Sequence, residues 1–200
     1  MNKEMKRNLA AVLAVAVIGI GGTYAYFTYM QSLKNSFTIG TNTITVTEDF
    51  EPPKDMEPGE NVFKKKVQVE NTGTVPCFVR VFMDFSDSSI ADISRISPDG
   101  TDYYAAAEYA EHLPDGWVYI SEEEDDSLGG YYYYTEIVEP GKQTEPLLEK
   151  VKTHFDTADQ IIDYDIIVYS ESVQALDKDG AEFEGNDAYR TAWTEFVERR

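Results

Sequence analysis

From Cys77 to Phe85 the chain reads CFVRVFMDF, a pattern typical of a β-strand. In an extended chain alternate side chains point to one side, so Cys77, Val79 and Val81 share an apolar face with the later residues of the run. Unpaired cysteines are among the most buried residues of proteins. The pattern therefore predicts a core strand in which Cys77 is a small buried side chain and not a reactive thiol.

Further strand patterns lie on both sides of this run. Asn71–Thr74 has turn residues, and together with the strand pattern before it predicts a hairpin between Val62–Glu70 and Cys77–Phe85. In the last long pattern, alternation predicts that Ile166, Val168 and Ser170 face away from their neighbours Ile167, Tyr169 and Glu171. The remaining predicted strands are Phe37–Ile39, Thr43–Thr47, Trp117–Ile120, Tyr131–Val138, Leu147–Val151 and Ile161–Val173.

Short helices are predicted between these strands. Alanines and glutamates favour a helix within Asp102–Leu113, and Ser88–Ile96 has room for another turn or two. A C-terminal helix at about 187–198 places its apolar side chains on one face, which predicts that it caps an open end of the fold; these side chains are Tyr189, Trp193, Phe196 and Val197. We therefore predict a mainly β fold, a jelly-roll-like two-sheet antiparallel sandwich with short helical insertions and a C-terminal helix.

The N-terminus has the pattern of a secretory signal helix preceding the sandwich. Basic residues, among them Lys3 and Lys6, come before an apolar run from Leu9 to Ile20. This run is short for a membrane-spanning helix, which needs roughly 20 apolar residues. The protein is therefore expected to be secreted, with membrane contact only as a precursor.

The charge and the cysteine content argue against some functions and indicate how the fold is stabilised. The chain has 37 acidic and 17 basic residues, a formal net charge of -20, which argues against nucleic-acid binding. The acidity fits a solvated surface, and cation-dependent assembly is the alternative. With one cysteine no intramolecular disulfide can form, so a buried core must stabilise the fold.

Catalytic and metal-binding motifs are not recognisable. His112 and His154 are far apart and lack the i, i+4 pairing of a zinc helix, so each is expected to have a packing or surface role. Asp177–Gly180 resembles the start of a calcium loop, but the twelfth position, Ala188, is not a glutamate. We expect no cofactor and no catalytic or metal-ligating residue, with calcium as an open alternative.

Several motifs carry a resemblance to a known family. The chain resembles the TasA and camelysin-like, SipW-dependent biofilm matrix proteins of Gram-positive bacteria, in particular the clostridial BsaA-type members. The motifs are Gly21–Thr28, Phe37–Gly40, Pro58-Gly59, Val69–Gly73, Val79–Val81, Val173–Ala175 and Ala192-Trp193.

The resemblance implies a processing site and an assembly mechanism. A SipW-type signal peptidase would cleave between Ala25 and Tyr26, so that residues 1–25 are the signal peptide and 37–200 the sandwich. Residues 26–36 would be the donor strand that one subunit inserts into the next in an extracellular fibre. Within that segment Phe27, Tyr29 and Leu33 share one face of an extended chain, interrupted by Gln31.

Other functions stay open at this point. Camelysin-like proteins are often classed as cell-surface metallopeptidases, although this sequence has no zinc motif. An accessory adhesin or minor matrix protein is the third possibility. Expected partners are further copies of the chain, the signal peptidase, and other matrix proteins or polysaccharide, at the cell surface or in the extracellular matrix.

Overall fold

Two antiparallel β-sheets form the fold in the computed structural model, which describes residues 41–51, 56–177 and 179–199. Sheet A contains, in spatial order, β1 (Ile44–Glu51), β2 (Gly59–Asn71), β8 (Leu148–Phe155), β4 (Ser94–Ser97) and β5 (Tyr104–Ala105). Sheet B contains β6 (Trp117–Ile120), β7 (Tyr131–Val138), β3 (Cys77–Phe85) and β9 (Ile166–Gln174). The predicted mainly β, two-sheet antiparallel fold is confirmed.

The core lies between the two sheets. Cys77, Val79 and Val81 of β3 are fully buried, as are Val67 and Val69 of β2 on the facing sheet. In β9 the side chains alternate as predicted, since those of Ile166 and Val168 pack against this core whereas Ile167 is exposed. Both faces of β3 are covered, because Phe78 and Arg80, which point to the opposite side, are buried as well.

The predicted hairpin between Val62–Glu70 and Cys77–Phe85 is wrong. β2 belongs to sheet A and pairs with β1 and β8, whereas β3 belongs to sheet B and pairs with β7 and β9. Both strands have a strongly apolar face, and each buries it against the opposite sheet. The turn between them therefore crosses from one sheet to the other.

Hydrogen bonds of the Asn71 side chain stabilise this crossing between the sheets. Its Nδ2 donates to the carbonyl oxygens of Val75 at 2.8 Å and Val138 at 2.7 Å, and its Oδ1 accepts from the Gly73 amide at 2.9 Å. The side chain is fully buried. Buried carbonyls need a donor, so the asparagine satisfies the peptide groups that the sheet change leaves without strand partners.

The C-terminal helix, α2 (Ala188–Glu198), lies on the outer face of sheet B and not at an open end of the sandwich. Tyr189 and Trp193 are buried there, and Phe196 and Val197 are partly buried against the same cluster. The Tyr133 ring of β7 contacts both buried aromatic side chains, at centroid distances of 5.9 Å. The one-sided aromatic stripe was correctly predicted, but helical spacing does not indicate which surface it covers.

The middle of the chain is less helical than predicted. Ser88–Asp92 forms the short helix α1, but the residues after it form β4. Residues 106–111 form a 3-10 turn preceded by the short strand β5, and a second 3-10 turn covers residues 158–160. The last long strand begins at Ile166, five residues later than predicted. Alternating apolar residues are too sparse in these segments to distinguish short strands from turns.

Part of the predicted plan lies outside the described residues. This applies to the signal helix, to Ala25 and Tyr26 at the expected cleavage site, and to the expected donor residues Phe27, Tyr29 and Leu33. The predicted strand Phe37–Ile39 also lies there. In the part that is described, no helix combines the length and the apolar character needed to cross a membrane.

Candidate functional site: an open seam between the two sheets

One flank of the sandwich has two long edge strands. Within the described residues, β1 is bonded only to β2 and β9 only to β3, and these edges have 8 and 9 residues. The edges on the other flank, β5 and β6, have 2 and 4 residues. Soluble proteins usually shorten or cover edge strands because free peptide groups there pair with other chains. We call the opening between β1 and β9 the seam.

Exposed apolar side chains concentrate at this flank. Phe50 near the end of β1 is 48% exposed, and Ile167 and Tyr169 on β9 are 45% and 43% exposed. Ile162, in the segment leading into β9, is similarly exposed. Such a concentration on a protein surface usually marks an interaction surface.

The inner side chains of the seam are incompletely covered. Ile44 and Val46 of β1, and Ile166 and Val168 of β9, pack against the main core but remain partly exposed. By contrast, Val79 and Val81 in the adjacent strand β3 are fully buried. An added strand along β9 would cover these side chains and also bond the free peptide groups of the edge.

A cavity of about 330 Å³ lies at one end of the seam. Its walls come from the end of β1, the start of β2 and the segment entering β9, and the lining is mostly apolar: Phe50, Met56, Phe63, Lys65, Tyr164, Asp165 and Ile166. The Phe50 and Phe63 rings pack edge to face, with centroids 6.0 Å apart. The cavity is large enough for an apolar side chain of a partner.

An ion pair lies beside this cavity, on the inner side of sheet A. Lys65 is 6% exposed, and its Nζ donates to Glu48 Oε2 at 2.8 Å. The ammonium also lies 5.1 Å from the centroid of the Phe50 ring. Charged side chains, including Asp165 in the lining of the cavity, therefore lie among the apolar ones at this end of the seam.

The chain enters the domain at the opposite end of the seam. Asn42 Nδ2 donates to the Ser172 carbonyl oxygen, and Ser172 Oγ donates to Asn42 Oδ1, both at 3.1 Å. The Thr41 amide donates to Thr74 Oγ1 at 2.8 Å. Gly73 permits this close approach, since a Cβ there would lie 2.2 Å from the Thr41 carbonyl oxygen. The residues that precede Thr41 thus join the domain beside the end of β9.

The two histidines lie in separate surroundings. The His112 ring stacks on Tyr104 with centroids 3.8 Å apart, a packing role. His154 Nε2 lies 3.3 Å from Asp156 Oδ1 on the exposed surface. Among residues 41–51, 56–177 and 179–199, no three side chains of the His, Cys, Asp and Glu types are close enough to bind one metal ion. These residues therefore do not provide the three-ligand set of a catalytic zinc.

Carboxylates in two acidic segments have local partners. Asp177 Oδ1 accepts the backbone amides of Asp179 and Ala181, which closes the turn that resembled a calcium loop. In the acidic loop before β7, Glu124 and Asp125 pair with Arg190 of α2 at 2.9 and 3.3 Å. This loop is therefore partly a docking contact for the C-terminal helix. Calcium binding stays an untested prediction.

The sequence predicted a donor segment, but the seam was not predicted. The sequence did indicate the inward position of Lys65. Phe63, Val67 and Val69 share one face of the strand, and the same alternation places Lys65 on that face, although it lies in a run of three lysines. The pairing of β9 with a single neighbour could not be predicted, because it depends on which strands share a sheet.

Comparison with known proteins adds one match. The sequence profile of the family described as camelysin metallo-endopeptidase matches residues 3–105, slightly more than half of the 200-residue chain. The match includes β1, on one side of the seam, and ends at the last residue of β5, so β9 lies beyond it. A comparison with curated proteins found no match.

Proposed function

The chain belongs to the camelysin family, and we propose that it is a secreted structural subunit of an extracellular biofilm matrix fibre. Signal cleavage between Ala25 and Tyr26 by a SipW-type peptidase would release the segment 26–36. That segment of one copy would then add to the seam of the next copy as a donor strand. The observation that carries the proposal is the seam itself, where β9 has one strand partner among the described residues and the inner apolar side chains are incompletely covered.

An added strand would give β9 a second strand partner and would cover the inner apolar side chains of the seam. Before Ser172, whose carbonyl accepts from Asn42, the edge of β9 has no second strand partner, and main-chain hydrogen bonds to such an edge give affinity to an extended segment. The partly exposed inner side chains and the cavity supply positions for alternate side chains. Phe27, Tyr29 and Leu33 alternate in the same way in the sequence. Each contact of this kind leaves a further free seam and a further free segment, so assembly continues as a fibre.

Cleavage would control this assembly. In the precursor, residues 26–33 continue directly from the apolar signal sequence, so they are not a free end that can enter another copy. A large charged residue at the cleavage site blocks signal processing, which requires small side chains. Ala25→Lys is therefore expected to retain the precursor and prevent fibre formation, whereas Ala25→Ser, which keeps a small side chain, leaves both normal.

The decisive experiment compares two forms of the exported protein by electron microscopy. The processed chain is expected to form fibres, and a chain lacking Tyr26–Leu33 is expected to remain a folded monomer with the same circular dichroism spectrum. Fibres in the shortened protein would refute donor-strand assembly. Persistent monomers of the processed chain at high concentration would instead favour an accessory adhesin.

A metallopeptidase is the second candidate, because the matched family is named for that activity. The described residues do not fit a catalytic zinc, so no reaction step is assigned to them. The test is metal analysis of the processed protein, together with a proteolysis assay with and without a chelator. Stoichiometric zinc and chelator-sensitive cleavage would establish the enzyme, and neither depends on whether fibres form.

A further inference from the structure

We propose that Tyr131 and Tyr169 form an oxidative cross-linking site, at which hydrogen peroxide and a haem peroxidase join the two rings by a carbon–carbon bond. The site lies on the outer face of sheet B and does not depend on the proposed function. Two observations support it, namely the direct contact of the two hydroxyl groups and the exposure of Tyr169.

The two tyrosines lie on strands that are not bonded to each other. β7 and β9 pair with opposite edges of β3, so their backbones are roughly 9–10 Å apart. Phe82 of β3 lies between them. Tyr169 is directly opposite Phe82 and stacks on its ring, with centroids 4.8 Å apart, and Tyr131 contacts the same ring edge to face at 6.1 Å. Packing on Phe82 therefore holds both tyrosine rings on one face of the sheet.

The hydroxyl groups of the two tyrosines are in contact. Their oxygens lie 3.2 Å apart, and the ring centroids are 6.1 Å apart at an interplanar angle of 81°. Phenoxyl radicals couple mainly at the ring carbons next to the oxygen, and this contact brings the ring edges that carry those carbons together. The hydrogen bond with Tyr131 also raises the pKa of Tyr169 to about 12, so Tyr169 is a phenol at neutral pH.

Exposure makes this pair the accessible one. Tyr169 is 43% exposed and is the most exposed tyrosine in the part of the chain that the structure describes. Tyr132 and Tyr133, which follow Tyr131 in β7, are only 8% and 0% exposed. An oxidant in solution therefore reaches Tyr169 first, and the hydroxyl that Tyr169 contacts is that of Tyr131.

The reaction balances with hydrogen peroxide as the oxidant. The peroxidase removes one electron and one proton from each phenol, which leaves two phenoxyl radicals. Their unpaired electrons form the bond between the two ring carbons, and the hydrogen atom on each of these carbons is replaced by that bond while a hydrogen returns to each oxygen. The two electrons and two protons removed reduce one molecule of hydrogen peroxide to two of water.

The new bond would tie the edge strand β9 to the inner strand β7 across β3. The chain has one cysteine, so an intramolecular disulfide cannot supply such a tie. A cross-link between residues 131 and 169 closes a loop in the unfolded chain, which lowers the entropy of that state and stabilises the fold. The oxidised protein should therefore unfold at a higher urea concentration than the untreated protein.

Peroxidase treatment of the purified chain tests the site. Dityrosine is detected by its fluorescence, and the cross-linked residues are identified by mass spectrometry after tryptic digestion. Lys142, Lys150 and Lys152 place Tyr131 and Tyr169 in different tryptic peptides. We expect the two peptides to be joined, with their summed mass reduced by two hydrogen atoms. The product should migrate as a monomer in denaturing electrophoresis, with a yield independent of protein concentration.

Conservative variants identify the reacting pair. Tyr131→Phe and Tyr169→Phe should each lose the dityrosine signal and the gain in urea resistance, while their circular dichroism spectra stay unchanged. Tyr119→Phe is the matched control, because the partly exposed Tyr119 ring lies 4.8 Å from that of Tyr132, and it should react like the wild type. Dityrosine that persists in Tyr131→Phe, that forms only between molecules, or that is absent from the treated wild type overturns the inference. None of these results depends on whether fibres form.

Discussion

Glu48 accepts a hydrogen bond from the buried ammonium of Lys65 at 2.8 Å, on the inner side of the strand that borders the seam. The Lys65 side chain is 7% exposed and that of Glu48 is 34% exposed. The carboxylate is therefore the partner that makes a lysine tolerable at a core-facing position.

Replacing Glu48 with glutamine should destabilise the domain. The ammonium of Lys65 loses its charged partner while it stays buried, and an incompletely satisfied buried group costs about 1–3 kcal/mol. Urea unfolding measures the loss. The double variant Glu48→Leu with Lys65→Met should recover most of it, because an apolar pair removes both buried charges. Lys64→Met, which breaks the exposed pair with Asp49, is the matched control and should leave the unfolding midpoint unchanged.

Replacing Phe50 with serine should weaken fibre formation without unfolding the domain. Phe50 lines the cavity and is 48% exposed, so its loss removes contact area for a partner more than it removes core packing. Val62 is equally exposed but lies on the outer face of β2, so Val62→Ser is the matched control. Light scattering of the processed chains should show at least a tenfold slower growth for Phe50→Ser only. Equal growth of the two variants would contradict a role for the cavity.

Arg80→Lys should destabilise the attachment of α2. The guanidinium lies 3.9 Å from the centroid of the Tyr131 ring and 4.2 Å from that of Trp193. Its Nη1 also donates to Tyr133 Oη at 3.1 Å. A lysine cannot stack or donate in this planar arrangement, so we expect a loss of about 1–3 kcal/mol.

Trp193 fluorescence and near-ultraviolet circular dichroism, followed during unfolding, measure the effect of Arg80→Lys. The surface variant Arg199→Lys is the control, since the ion pair of Arg199 is exposed. An Arg80→Lys midpoint equal to that of the wild type would show that stacking contributes nothing.

Cys77 should be unreactive in the folded protein and should make stability depend on pH at alkaline values. Burial raises the pKa of the thiol to about 11, with a further contribution from Glu139. The unfolded thiol has a lower pKa and loses its proton first. The thiol's contribution to the free energy of unfolding therefore falls as pH rises from about 9 to 11, by roughly 2 kcal/mol.

Cys77→Val removes this contribution, so the difference in unfolding free energy between wild type and variant should change over that pH range and stay constant below it. Reaction with a thiol reagent at pH 8 should require denaturant. Rapid labelling of the folded protein would show that Cys77 is not enclosed.

Local patterns predicted most strands but not their arrangement. Cys77–Phe85 and Tyr131–Val138 could be located to the residue, because each is rich in β-prone side chains and has turn residues near its ends. The β2–β3 hairpin failed because a turn sequence does not specify whether the next strand stays in the same sheet. Lys65 and Glu48 lie 17 residues apart, and only the register of β1 on β2 brings them together.

The unequal lengths of the edge strands limit the shapes that an assembly can take. Under the proposed mechanism each copy has two binding elements, the seam and the segment 26–36, so it binds two neighbours. Units of valence two extend as unbranched threads and do not spread into films or clumps. Lateral association of such fibres would need a separate binding surface, because the edge strands of the opposite flank have only 2 and 4 residues.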